Sequence, residues 1–249
     1  MTNLSIDINC DMAEGMGNEG VLMPWISAAN IACGYHAGNK ELMRETVDLC
    51  LKNNVAIGAH PSFPDRENFG RTNMNLPLDQ VRQIVLDQIF LLKEIAEQQG
   101  GKLHHVKPHG ALYNMAAKDP LLANCIAMAI KSVDAKLILY GLSQSVMISE
   151  AAKINLKTAH EVFADRTYQP DGSLTPRSNP NALILDEQEA VNQALRVIKE
   201  NKVKVEGGFS IPLKAETLCL HGDGKRAFEF AQLIYSRLEK ENIRIKSPE

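Results

Sequence analysis

Short apolar runs alternate with longer amphipathic stretches along almost the whole chain, the pattern of a parallel sheet whose strands are joined by helices. Seven runs are brief and apolar enough to be buried strands: 4–9, 30–34, 55–59, 103–107, 137–140, 157–162 and 217–220. The clearest helix spans Leu78 to Gln99. There Leu78, Val81, Ile84, Val85, Ile89, Leu92 and Ile95 recur at helical spacing, and Gly100-Gly101 supplies the stop. Further helices are expected at 39–53, 119–132, 143–154, 186–200 and 224–241, the one near 186 opening on Asp186 as its N-cap. The alternation predicts an α/β fold, and a closed or nearly closed barrel fits it better than a doubly wound sheet. With 249 residues and no linker or internal repeat, 1–249 is expected to be one domain.

Two connections, Pro61 to Pro77 and Ala164 to Pro180, are longer than structure alone requires. Long loops in compact domains usually carry function, and both follow strands, on the face where α/β folds keep their ligand sites.

Composition narrows the function classes. Apolar residues make up 45%, charged residues 23%, and the net charge is −3, a profile that gives no reason to expect a nucleic-acid partner. Aromatic content of 5% leaves no stacking platform for single strands. The first residues lack a basic and apolar leader, and no apolar run approaches the ~20 residues that span a bilayer, so a cytoplasmic location away from membranes is expected. The five cysteines include no C-x-x-C pair and read as small buried residues.

Polar residues collect where the predicted strands end: Asn9, Asp11 and Glu14, then His36, His60, Lys107 with His109, Glu161 with Asp165 and Arg166, and His221 with Asp223. Parallel strands bring these ends to one rim, and that convergence points to an enzyme. Residues two apart on a strand share a face, so Asp7, Asn9 and Asp11 are expected to point into the barrel, as are His105, Lys107 and His109, with His104 turned the other way. The Asp7-x-Asn-x-Asp11 spacing touches that of a calcium loop, but Met12 replaces the required Gly. An Asp facing two His is a familiar N/O ligand set for a divalent metal, which makes Asp11, His36 and His60 metal candidates; the alternative is ordinary hydrogen bonding. An inward Lys107 needs an anion. Arg66, Arg71, Arg166 and Arg177 on the two long loops suit an anionic substrate group. His221-Gly-Asp-Gly224 is either a phosphate site at a helix start or a simple turn. Neither a P-loop nor a dinucleotide fingerprint occurs.

Taken together, Asp7-Ile-Asn-Cys-Asp-Met-Ala-Glu14, Ala29-Asn-Ile-Ala-Cys-Gly-Tyr-His-Ala-Gly38, Ile57-Gly-Ala-His-Pro-Ser-Phe-Pro-Asp-Arg-Glu-Asn-Phe-Gly-Arg71, Val106-Lys-Pro-His-Gly-Ala-Leu-Tyr113, Glu161-Val-Phe-Ala-Asp-Arg166 and Leu220-His-Gly-Asp-Gly224 resemble the LamB/YcsF family, in order and over nearly the whole chain. One departure is Ala13, where Gly is expected before the Glu. The resemblance implies an irregular seven-stranded parallel β/α barrel, TIM-barrel-like and of the type found in sugar deacetylases and some glycoside hydrolases. It also implies the A component of an ATP-dependent 5-oxoprolinase, which with its partners, the B and C subunits, opens 5-oxo-L-proline to L-glutamate. On this reading Asp11, His36 and His60 hold a divalent metal or orient the attacking water. Lys107 neutralises developing charge, Glu14 or Glu161 is the base, and Arg71 or Arg166 pairs with the substrate carboxylate. His109 joins the catalytic group, and Asn9, Asp165, His221 and Asp223 join the substrate contacts. Two other readings compete: metal-dependent amide hydrolysis without ATP, as in deacetylases, and a non-catalytic binding subunit.

Overall fold

The computed structural model describes residues 4–220 and 227–249. Seven strands close into a parallel barrel: β1 (Ser5–Met12), β2 (Ala28–Ala32), β3 (Ala56–His60), β4 (Leu103–Val106), β5 (Ile138–Leu142), β6 (Lys157–Phe163) and, after two intervening short strands, β9 (Thr217–Leu220), which pairs with both β6 and β1. They are the seven runs expected from the apolar pattern. The ends shift by a few residues, and β1 continues through Asp11 to Met12 instead of stopping at Asn9.

Helices cover the barrel: α1 (Glu19–Leu22), α2 (Lys40–Asn53), α3 (Leu78–Gln98), α4 (Gly110–Ala116), α5 (Pro120–Val133), α6 (Val146–Lys153), α7 (Glu187–Glu200) and α8 (Ala227–Lys240). Their ends follow local chemistry. Asn39 accepts from Leu42 N, Asp119 from Leu121 N and Leu122 N, and the expected cap Asp186 from Glu189 N, each satisfying an orphan donor of the first turn. Helix α3 buries Val81, Ile84, Val85, Ile89, Leu92 and Ile95 as its spacing requires, and Gly100 ends it at φ +79°. The elements not anticipated are short: α1, α4, the antiparallel hairpin β7 (Lys202–Lys204) and β8 (Ser210–Pro212), and β10 (Arg244–Ile245), which extends the sheet beside β1. Among the described residues no helix is long and apolar enough to cross a membrane.

The outward side chains of the strands, such as Ile6, Ile8, Cys10 and Ile31, build the main core against the helices. Inside the barrel the side chains form layers. Ala28, Ala56, Ile138, Tyr140 and Ala159 make a small separate apolar plug. Many of the other inward positions are polar: Asp7, Asn9 and Asp11 on β1, Asn30 on β2, His60 on β3, His105 on β4, Glu161 on β6 and Thr217 on β9. Buried polar groups are costly without partners, so their pairing decides what the barrel can do.

Candidate active site at the barrel mouth

A cavity of about 680 Å³ opens at the C-terminal ends of the strands, lined at its base by Asp11, Glu14, His60, Lys107, His109 and Tyr113. The loops 61–77 and 164–180 supply its walls, through Phe69 and Arg71 on one and Arg166, Thr175 and Arg177 on the other. The placement of both long loops follows the expectation for connections that leave the strand ends.

Asp11 is the best-defined group. Its Oδ1 accepts from Asn30 Nδ2 at 2.7 Å and Lys107 Nζ at 2.9 Å, while Oδ2 lies 3.3 Å from His60 Nε2. Burial opposes its ionisation, but the charges of His60 and Lys107 outweigh burial and hold the carboxyl well below the ordinary carboxylate range. Burial lowers the Lys107 pKa, but Asp11, Cys219 and Glu161 more than reverse this and hold the ammonium well above the ordinary lysine range. Lys107 Nζ has Asn9 Oδ1 at 3.1 Å, Asp11 Oδ1 at 2.9 Å, Glu161 Oε1 at 2.9 Å and Cys219 Sγ at 3.2 Å. An ammonium has three protons, and the anion that an inward Lys107 was expected to need is supplied by two carboxylates, Asp11 and Glu161.

The histidines gather tightly. His36 stacks on His109 with ring centroids 3.8 Å apart, and both meet His60 edge to face. Nδ1 of His60 donates to the Lys107 carbonyl at 2.7 Å, and Nε2 of His109 to the Phe69 carbonyl at 2.9 Å. The remaining nitrogens, His60 Nε2 and His109 Nδ1, face each other at 2.9 Å. His36 Nε2 lies 3.3 Å and His109 Nδ1 3.7 Å from Glu14 Oε1. One ligand atom each from Glu14, His36, His60 and His109 lies within 4.8 Å of all the others, a group able to hold a metal ion. Burial first, then the neighbouring histidines, drive His36 well below the ordinary imidazole range and His109 to about 3, which keeps both rings in the neutral form that metals bind.

This group shares His36 and His60 with the expected metal set of Asp11, His36 and His60. Glu14 and His109 complete the group and Asp11 lies beside it, its Oδ2 3.3 Å from His60 Nε2; Glu14 reaches the histidines because the chain turns out of β1 at Ala13, φ +60°. Ala13 occupies a left-handed conformation that glycine would adopt without strain, which accounts physically for the expectation of Gly there.

Glu161 is fully buried beneath the cavity. Its Oε1 receives Asn9 Nδ2 at 3.0 Å and Lys107, and its Oε2 receives the Tyr113 hydroxyl at 2.6 Å. Asn9 lies at the same depth and also donates to Thr217 Oγ1 at 2.6 Å. Of the expected substrate contacts, Arg71 lines the cavity and stacks over the Phe69 ring at 4.9 Å. Arg166 also lines it, almost wholly buried, donating to the carbonyls of Ala182 and Thr175. Asp165 is half-buried at the end of β6 and outside the cavity lining. His221 and Asp223 lie outside the described residues. His104 bonds the Pro248 carbonyl, away from the site.

Asn30, His105, Tyr113 and Thr217 join the site without having been singled out for it. His105 Nε2 donates to Asn30 Oδ1 at 2.8 Å, which turns the Asn30 amide so that its Nδ2 reaches both Asn9 and Asp11. The signal for His105 was its shared face with Lys107, and for Tyr113 its position one helical turn after His109.

Comparison with known proteins agrees along the whole chain. The A component of 5-oxoprolinase from Shouchella clausii (strain KSM-K16) is 52% identical over 248 residues, covering 98% of each chain. That of Bacillus cereus (strain Q1) is 48% identical over 250 residues, covering 98% of this chain and 99% of the other. The crystal structure of a lactam utilization protein from Thermus thermophilus superposes with a TM-score of 0.93 at 38% identity, covering 98% of this chain and all of that one. The family model of LamB/YcsF matches residues 6–249, and the chain belongs to the LamB/YcsF family.

Proposed function

We propose that this chain opens the lactam of 5-oxo-L-proline to L-glutamate as the A component of a cytoplasmic, ATP-dependent 5-oxoprolinase assembled with B and C subunits. The relatives' names supply the substrate. The observation that carries the chemistry is the ionised Asp11 beside a histidine cluster at the base of a cavity. A five-membered lactam is a resonance-stabilised amide, so its opening needs an activated carbonyl and a base for the attacking water. Asp11 Oδ2 is that base. Its other oxygen is tied down by Asn30 and Lys107, which fixes the direction in which Oδ2 points.

The reading includes a divalent metal ion on His36, His60, His109 and Glu14. Two imidazoles pinned at their far nitrogens bring His60 Nε2 and His109 Nδ1 to within 2.9 Å of each other, where both can turn toward one bound cation. The donors agree as well: three imidazoles and one carboxylate form a mixed N/O set of the kind divalent metals take. When bound, such an ion polarises a carbonyl and activates water. Arg166 supports the substrate carboxylate from the wall. The nucleotide step belongs to the assembled enzyme, and any ATP held by this chain is held without a P-loop.

The test is glutamate release by the reconstituted three-subunit enzyme, with ATP, chelator and metal varied. The expected result is release only with all three chains and ATP, and its loss in Asp11→Asn. Wild-type rates from both Asp11→Asn and His60→Ala would refute the assignment. Release by this chain alone without ATP would favour the deacetylase-like alternative.

A further inference from the structure

Tyr113 stands between the cavity and Glu161. The tyrosine lines the cavity, whereas Glu161 is fully buried and does not. The direction of their 2.6 Å hydrogen bond follows from the neighbours. Glu161 Oε1 already takes the Asn9 amide and the Lys107 ammonium, so the carboxylate has only acceptor capacity to offer at Oε2, and the phenol must donate. Burial and the adjacent Glu161 charge hold the Tyr113 phenol well above its ordinary range, so that proton stays in place at working pH. A phenol oxygen that has given its proton away can only accept. Among the described residues none donates to it.

A lactam presents one ring N–H donor beside its carbonyl acceptor. Resting on the lactam reading above, we infer that Tyr113 is a specificity-determining residue whose oxygen accepts the substrate's ring N–H. The residue then selects lactams over lactones: a ring oxygen in place of N–H would set one acceptor against another. A site built to pair a substrate N–H rejects the analogue that lacks it far more strongly than a merely apolar wall does. Glu161 sets the polarity of this contact by taking the phenol proton, although it never meets the substrate.

Two variants test this in the assembled enzyme, with 5-oxoproline and its lactone analogue, 5-oxotetrahydrofuran-2-carboxylate, compared as competing ligands. The wild type should hold the lactam at least about tenfold tighter than the lactone. Tyr113→Phe should collapse that ratio toward unity. Glu161→Gln is the sharper probe. Lys107 and Asn9 keep the amide oxygen at the Oε1 position, so the amide N–H₂ points at Tyr113 and turns the phenol proton toward the cavity. The ratio should then invert in favour of the lactone. If both variants lose turnover but keep the wild-type ratio, Tyr113 merely positions Glu161 and the inference fails alone. If the wild-type complex neither binds nor opens 5-oxoproline, the lactam reading falls and this inference falls with it.

Discussion

The ring of His105 occupies the space that a side chain at Gly58 would need: an ideal Cβ there would stand 2.0 Å from Nε2 and 2.3 Å from Cε1. β3 and β4 are paired at this point, and the missing Cβ lets the imidazole lie flat across the barrel, stacked on Tyr140 at 4.0 Å and bonded to Asn30. Gly58→Ala should therefore displace His105, leave Asn30 Oδ1 without its donor and loosen Asp11. The expected stability loss is roughly 1–3 kcal/mol, read as a lower denaturant midpoint, together with reduced glutamate release. Adding His105→Ala should recover part of the stability but none of the activity. A strictly additive double mutant would show that the clash is not the cause.

This pair also shows where sequence reasoning stops. Period-two alternation places His105 inside the barrel, and strand ends mark Asp11, His60 and Lys107, because both signals are local. What Lys107 does is not local. Asn9, Glu161 and Cys219 reach it from β1, β6 and β9, all remote along the chain, so the sequence shows that Lys107 needs an anion but not which groups supply it. Glu14 depends on one left-handed residue, Ala13, and Tyr113 on a helix of seven residues that opens on Gly110, too short for periodicity to reveal. Asn30 hides in an apolar strand, Ala28–Ala32, where its partners decide its role.

Asp7 makes a prediction about pH. It is buried, accepts from Ser27 Oγ at 2.5 Å and Thr217 Oγ1 at 2.6 Å, and burial raises its pKa from 3.8 to about 6. A carboxyl that holds its proton more tightly when folded stabilises the fold at low pH, and that contribution is lost as pH rises from about 4 to about 6. The difference amounts to roughly 3 kcal/mol, at about 1.4 kcal/mol per unit. Denaturation of wild type and Asp7→Asn across this window should give a difference curve that rises in the variant's favour with pH. A flat difference would mean that Asp7 is ionised throughout.

Arg166 predicts a split between binding and turnover. Its guanidinium is buried against the cavity and donates to the backbone carbonyls of Ala182 and Thr175. Arg166→Lys keeps a charge but loses the planar fork. KM for 5-oxoproline should rise about tenfold or more with kcat little changed, the order expected from losing a charged hydrogen bond. The control is 2-pyrrolidone, which lacks the carboxylate. An equal loss for both compounds would assign Arg166 to holding its loop, not to the substrate.

The facing nitrogens of His60 and His109 predict how the protein responds to metal. If the cluster holds a divalent ion, the chelator-treated protein should unfold at a lower temperature than protein given Zn²⁺, Mn²⁺ or Co²⁺, since a ligand that binds only the folded state adds about 2.7 kcal/mol at a concentration a hundredfold above its Kd. His109→Ala removes one ligand atom of the group and should abolish that shift, and Glu14→Gln, which trades the carboxylate for a neutral amide, should sharply reduce it. His104→Ala should leave it intact, because His104 bonds Pro248 and lies outside the cluster. Asp11→Asn separates the two roles considered for that residue. As a base beside the ion it can be lost with the metal-induced stabilisation largely preserved, whereas as a ligand it would take the stabilisation with it. Identical unfolding temperatures for the wild type with and without each ion would leave a shared proton as the only cation between the two rings.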